Sequence, residues 1–190
     1  MRILATTAGE RSAASVKAPD PNYSVIYETA RPCGVIPCWG ADVCQTQSVA
    51  VRFEPRSGHY LKRIGLWFMS NAVPGDQPEV TVTLRNDRSS GAESMPGDQI
   101  LERWTLKVTA HGWTPVREEL ESAKTPYLEA GVKYWLAAES EAVCGDDGVW
   151  NMAGEGAGFS AIGAGPGRPW TPGHEGAVPA TIVWGIPPVK

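Results

Sequence analysis

The sequence lacks any long apolar run. None of its 190 residues lies in a stretch approaching the ~20 apolar residues that cross a bilayer, so we predict no membrane span. Basic residues are not in excess either, because 17 Lys and Arg stand against 21 Asp and Glu, for a formal net charge of −4. Without a basic stripe to neutralise phosphates, we expect no nucleic-acid partner. A composition of 42% hydrophobic and 20% charged residues is that of a globular chain of single-domain size.

The usual catalytic signatures are also missing. The chain has no G-x-S-x-G sequence, no phosphate-binding P-loop and no Rossmann glycine fingerprint. Its histidines, His59, His111 and His174, all stand beside glycine or in turn-rich sequence. Acidic residues do occur near predicted strand ends, and sequence fixes no separation between them, so a carbohydrate-active enzyme is retained as the least favoured alternative. We predict that the protein is not an enzyme.

The cysteines are few but unevenly placed. Cys33, Cys38 and Cys44 lie close together, and Cys144 stands far along the chain. There is no C-x-x-C pair and no histidine near the cluster, which disfavours zinc and favours two disulfides, with free buried thiols as the alternative. Each of the three possible connectivities ties Cys144 to the cluster through a loop of about a hundred residues. Such bridges predict an oxidising, extracellular setting.

Residues 1–46 differ from the rest of the chain. They carry four of the prolines and the cysteine cluster, with little apolar periodicity, and we predict an extended N-terminal arm with one short strand at 23–28. The first residues lack the apolar core of a secretory signal. Either a signal has been removed, or the protein reaches its site without one, as a virion component would.

From residue 47 onward, apolar and polar residues alternate. Val80, Val82 and Leu84 share one side of their segment, and so do Ile182 and Trp184. Period two predicts strands with one face in a common interior. We therefore predict an all-β fold, an antiparallel two-sheet sandwich of the jelly-roll kind over 47–190. The Gly-, Ser- and Pro-rich segments 86–99 and 153–179 predict long loops. About eight strands are expected, at 48–53, 60–69, 80–85, 100–108, 114–120, 133–139, 149–152 and 180–186.

Several landmarks between Val49 and Ile186 carry a family resemblance. They include Arg52-Phe53-Glu54-Pro55, the run Leu128-Glu129-Ala130-Gly131-Val132-Lys133-Tyr134-Trp135-Leu136, and Gly145-Asp146-Asp147-Gly148-Val149-Trp150. Together they resemble the choice-of-anchor domains, especially type R, of bacterial secreted and surface proteins. The resemblance implies a jelly-roll-like sandwich exported to the cell surface, and it supplies no catalytic residues.

The main candidates for a binding site are tryptophans. The chain has eight, and Trp113, Trp150 and Trp170 lie in or beside predicted loops, where exposed rings stack on sugars or anchor a protein partner. The alternative is that they plug the loops. Asp146 and Asp147, between two glycines, offer oxygen ligands to Ca²⁺, although plain turns explain them as well. We expect no other cofactor or metal.

These observations favour a non-catalytic extracellular module at the cell surface, with a binding or structural role. It would bind a glycan or a protein surface through aromatic residues that a rigid sandwich presents on its loops. The alternative is a structural subunit of a virion or filament. In that case residues 1–46 would contact a neighbouring copy of the chain.

Overall fold

The computed structural model describes residues 21–32, 39–90, 93–111, 114–154, 158–173 and 178–189. These residues form thirteen strands and no helix, so none of them builds a helix with the length and apolarity that a membrane crossing requires. The strands are β1 (Ser24–Glu28), β2 (Gly40–Val43), β3 (Ser48–Phe53), β4 (His59–Ser70), β5 (Glu79–Ser90), β6 (Glu93–Lys107), β7 (Val116–Glu121), β8 (Tyr127–Leu128), β9 (Tyr134–Glu139), β10 (Gly148–Asn151), β11 (Phe159–Gly163), β12 (Trp170–Pro172) and β13 (Thr181–Ile186).

The strands form two antiparallel sheets. In sheet I, of seven strands, the order is β1-β13-β4-β10-β2, with β7 and β8 also paired to β4. In sheet II, of six strands, the order is β12-β11-β3-β9-β5-β6. The predicted all-β fold of two antiparallel sheets is confirmed, with more strands than the eight that alternation indicated. Neighbouring strands in a sheet are often distant in sequence, so each face gathers residues from several parts of the chain.

The main core lies between the sheets. Val80, Val82 and Leu84 of β5 are fully buried in it, which confirms the predicted orientation of that strand. The prediction for β13 was wrong, because Val183 reaches this core while Ile182 and Trp184 pack on the outer face of sheet I. Both faces of β13 are covered, and alternation cannot tell which of two apolar faces is the interior.

Two predicted loops contain strands. Segment 86–99 continues β5 and β6 as a long hairpin whose Met95 packs over Trp135 on the outer face of sheet II. Segment 153–179 contains β11 and β12. Glycine and serine lower strand propensity, but pairing with a formed neighbouring strand outweighs that local preference.

Parts of the predicted arm belong to the sheets. β1 pairs with β13 at one edge of sheet I, and β2 pairs with β10. Cys44, just after β2, forms a disulfide with Cys144 across a sequence separation of 100. That bridge confirms the predicted tie between Cys144 and the cluster, and it is compatible with an extracellular location. The other predicted partners, Cys33 and Cys38, lie outside the described residues.

Candidate functional site

Of the three tryptophans proposed from the sequence, two lie in the described part of the chain, and they differ in burial. The proposal of Trp150 as a binding residue was wrong, because its side chain is fully buried. The ring stacks on Phe68 at 5.7 Å between ring centroids, and the indole N–H donates to the Ala180 carbonyl at 3.1 Å. Its ring therefore has no face for a ligand. Trp170 is partly buried and packs against the small apolar cluster on the outer face of sheet II. Trp113 lies outside the described residues.

The two aspartates lie in the turn before β10. Asp146 is exposed, whereas Asp147 is fully buried. One oxygen of Asp147 accepts hydrogen bonds from the Gly145 N–H at 2.9 Å and the Asn71 side chain at 3.2 Å. Burial is the main cause that raises the pKa of Asp147, and nearby Asp42 adds to it. Within the described ranges, no three or more His, Cys, Asp or Glu residues converge on a metal position.

A cleft of about 600 Å³ opens between the edge strand β1 and strands β3 and β11. It lies where the two sheets separate at one side of the sandwich, so residues of both sheets reach it. β1 is the last strand of sheet I, and no described strand pairs with its outer edge. The polar and aromatic residues of the lining are Tyr27, Glu28, Arg52, Phe53, Glu54, Arg56 and Phe159.

Strand register brings Arg52 and Phe159 together. The two residues are directly opposite in the antiparallel pair β3–β11. Since Val51 and Phe53 point into the core, Arg52 points to the outer face, where Phe159 also lies. The guanidinium carbon is 3.5 Å from the centroid of the Phe159 ring, and Phe159 is 60% exposed. The cleft thus presents an aromatic ring to solvent with an arginine stacked on it.

The two arginines of the cleft are not neutralised by direct contact. Neither Arg52 nor Arg56 has a hydrogen-bond or ion-pair partner among the described residues. Desolvation lowers the pKa of the half-buried Arg52 guanidinium, and the charges of Asp87 and Glu54 act in the opposite direction. Partly buried cations are normally paired, because leaving water costs free energy. Arg52 therefore presents a planar set of N–H donors that no residue in the described part of the chain uses.

Tyr27 forms part of the opposite wall. Its ring packs on Phe53 at 5.7 Å between centroids, and its buried hydroxyl has no hydrogen-bond partner within the described part of the chain. Burial raises the pKa of Tyr27 to about 12, against a smaller opposing effect of Arg52. The hydroxyl is therefore protonated at neutral pH and has a hydrogen to donate.

A second groove, of about 500 Å³, lies over β5 and β6 on the outer face of sheet II. Its central charges are already paired, since Arg85 contacts Glu139 at 2.7 Å. The other Glu139 oxygen accepts the Gly167 backbone N–H at 2.9 Å. These contacts join the loop around Gly167 to the sheet, and they give Arg85 and Glu139 a structural role.

Sequence reasoning did not find Arg52, Arg56 or Phe159. Phe159 stands in a Gly- and Ala-rich segment where only alanine lies in phase with it. A single large aromatic residue in such a segment was the one signal that could have drawn attention to it. Arg52 interrupts an otherwise apolar strand, but a single charged residue at that position is common on an outer face. Their juxtaposition depends on the register of β11, a strand that the pattern did not predict.

Comparison with protein families and with curated proteins identified no relative of this chain. No protein-family model matches the chain, and no curated protein matches it significantly. The resemblance to choice-of-anchor domains stays a prediction. The class that the structure defines is an all-β sandwich of two antiparallel sheets with one long-range disulfide.

Proposed function

We propose that this protein is a non-catalytic extracellular module that binds carbohydrate in the cleft between β1, β3 and β11. The observation that carries the proposal is the exposed Phe159 ring, which lies on Arg52 at the border of the cleft. Aromatic faces are the usual platform for the C–H groups of a sugar ring.

The remaining groups of the cleft suit a sugar. Arg52 and Arg56 supply N–H donors, Glu28 and Glu54 supply acceptors, and the Tyr27 hydroxyl is without a partner among the described residues. A sugar ring needs both kinds of group around one apolar face. Strands β1 and β3 hold Tyr27, Glu28 and Arg52 in place, so these residues gain little order on binding, whereas Glu54 and Arg56 lie in the connection between β3 and β4. The disulfide supports the extracellular setting.

Affinity electrophoresis in gels containing soluble polysaccharides tests this proposal. We expect at least one polysaccharide to retard the wild-type chain, and Phe159→Ala to abolish the retardation. Val143→Ala is the matched control, since Val143 is 58% exposed and lies outside the cleft. If a neutral and acidic panel of glucans, mannans, xylans and uronans gives no retardation, or if Phe159→Ala migrates like the wild type, the proposal is wrong.

A structural subunit remains the second candidate, because β1 has an open edge in the described part of the chain. An open edge accepts a strand from another copy through main-chain hydrogen bonds. This candidate predicts a mass that increases with concentration in light scattering. A monomer at all concentrations, with and without reductant, would eliminate it.

A further inference from the structure

We propose that the cleft selects acidic polysaccharides, with Arg52 and Arg56 binding the carboxylate of a uronate residue whose ring stacks on Phe159. This inference rests on the proposed carbohydrate binding and names the class of sugar. It follows from a property of Arg52. Of the four described arginines that are not exposed to solvent, Arg63, Arg85 and Arg117 are ion-paired. Arg52 has its ring contact but no hydrogen-bond or ion-pair partner among the described residues.

The planar guanidinium group of Arg52 is already oriented. Its guanidinium carbon lies 3.5 Å from the centroid of the Phe159 ring, and this contact limits the conformations open to the side chain. A carboxylate needs two parallel N–H donors in one plane, which arginine supplies and lysine does not. Because the ring holds the group before a ligand arrives, binding loses less side-chain freedom. Arg56, exposed on the same cleft, adds a second cation.

The acidic residues of the cleft limit what kind of anion fits. Glu28 and Glu54 line the same space and repel a ligand that is negative throughout. They are good acceptors for hydroxyl groups, so they favour a ligand with one carboxylate among several hydroxyls. A uronate ring has that composition, with an apolar face for Phe159 in addition. A chain with a formal net charge of −4 offers polyanions no general attraction, so selectivity must come from this local pair.

The test compares each acidic polymer with its own neutral form. Polygalacturonate, alginate and hyaluronan are measured by isothermal titration against the same polymers after methyl esterification, which keeps the sugar rings and masks the carboxylates. We expect at least one acidic polymer to bind at least tenfold more tightly than its ester, with affinity that falls as salt is added. Arg52→Gln and Arg56→Gln should each weaken that binding about tenfold or more, as loss of a charge-assisted hydrogen bond predicts.

Two controls identify the cause. Arg168→Gln removes the same charge from an exposed residue outside the cleft and should bind like the wild type. Arg52→Lys keeps the charge without the planar pair of donors, and it should bind more weakly than the wild type. The thermal midpoint of each variant is measured first. If Arg52→Gln does not fold, Arg56→Gln decides, because that side chain is exposed and makes no hydrogen bond or ion pair with any described residue.

Each other outcome has a definite meaning. Equal binding of acid and ester, with loss in Phe159→Ala, would overturn the acidic preference while leaving carbohydrate binding intact. Binding of polyglutamate as tight as that of the polyuronates would show attraction to a peptide or to charge alone and would overturn the assignment of a sugar. Unchanged affinity in both Arg52→Gln and Arg56→Gln would place the ligand elsewhere. If no polysaccharide of any kind binds, the proposed function fails as well.

Discussion

Two regions of this protein combine arginine, glutamate and aromatic side chains, with opposite results. On the outer face of sheet I, Arg63 contacts Glu119 at 2.9 Å and Glu121 at 2.6 Å. Arg117 contacts Glu119 at 2.6 Å and lies 5.8 Å from the rings of both Trp67 and Trp184. In the cleft, Arg52 has its ring contact and no ion pair among the described residues.

The comparison separates a structural use of these residues from a binding use. In the outer-face region the two tryptophans are buried, at 8% and 5% exposure, and Arg117 lies over both. Both arginines are ion-paired, which lowers the free energy of the folded chain, although the buried Nε of Arg117 has no hydrogen-bond partner among the described residues. The covered rings offer no face to a ligand. An exposed ring with an unused guanidinium group contributes little to folding. Residue types alone do not distinguish these cases, whereas hydrogen-bond partners and exposure do.

Loss of the disulfide has the largest expected effect, and it tests whether the outer face of sheet I and the cleft unfold together. Replacing both Cys44 and Cys144 with serine should lower the free energy of unfolding by up to about 4–5 kcal/mol, since the bridge closes a long loop in the unfolded chain. Urea unfolding measured by tryptophan fluorescence and by circular dichroism should give one shared, lower midpoint. Separate midpoints for the two signals would show that the regions belong to different cooperative units.

The next effect compares a covered ring with an exposed one. Trp184→Ala should lower the free energy of unfolding by about 3–5 kcal/mol, because it leaves a cavity under Arg117. Phe159→Ala should cost about 1 kcal/mol or less, since that ring is 60% exposed. Urea denaturation of both variants measures the difference. Equal losses would contradict the division into structural and binding aromatics.

Arg63 and Arg52 should also differ in how much each contributes to the stability of the fold. Arg63→Gln should lower the free energy of unfolding by about 2 kcal/mol, a buried-pair value reduced because Glu121 is largely exposed. Arg52→Gln should change it by about 0.5 kcal/mol or less. Thermal and urea unfolding of the two variants provide the measurement. A larger loss in Arg52→Gln than in Arg63→Gln would refute the proposed roles.

The smallest expected effect comes from a comparison of two neighbouring residues of β7, the ion-paired Glu119 and Glu118. Burial raises the pKa of Glu118 above the ordinary value of 4.5, and one of its oxygens lacks a partner in the described chain. The folded state then holds its proton more tightly than the unfolded state, so stability present below 4.5 is lost as pH rises through the raised pKa. Glu118→Gln removes this loss.

The stability of Glu118→Gln relative to the wild type should therefore increase from pH 4 to pH 7. Urea midpoints at several pH values show it. Glu119→Gln is the control and should lose stability near neutral pH, because its ion pairs with Arg63 and Arg117 are broken. If the difference between Glu118→Gln and the wild type does not vary with pH, Glu118 ionises in the folded chain as it does in water.

Much of the fold was predictable from local pattern. β3 has the bounds predicted from alternation, and β5 begins within a residue of its expected start. The connection of Cys144 to the cysteine cluster also followed from the sequence. The tip of the β5–β6 hairpin and strands β11 and β12 did not, because the glycine, serine and proline residues in and around them indicated loops, whereas pairing with other strands holds them extended.

The candidate site was not predictable in the same way. Loop tryptophans were chosen because sequence shows residue type and context, yet Trp150 is buried and the described residues that line the cleft include no tryptophan. Arg52 and Phe159 are far apart in the chain and meet through the register of β3 and β11. Such a register depends on which strands pair, and no local window contains that information.

By itself the sequence determined that this chain folds as strands with a shared apolar interior, because a period of two is a local property of neighbouring residues. It also predicted a disulfide between Cys144 and the cluster of Cys33, Cys38 and Cys44, which the structure confirms for Cys44. Only the tertiary structure decided which face of β13 is inside, which tryptophans are covered and which arginines lack partners. Those properties depend on what packs above each side chain, and strands from distant parts of the chain provide that packing.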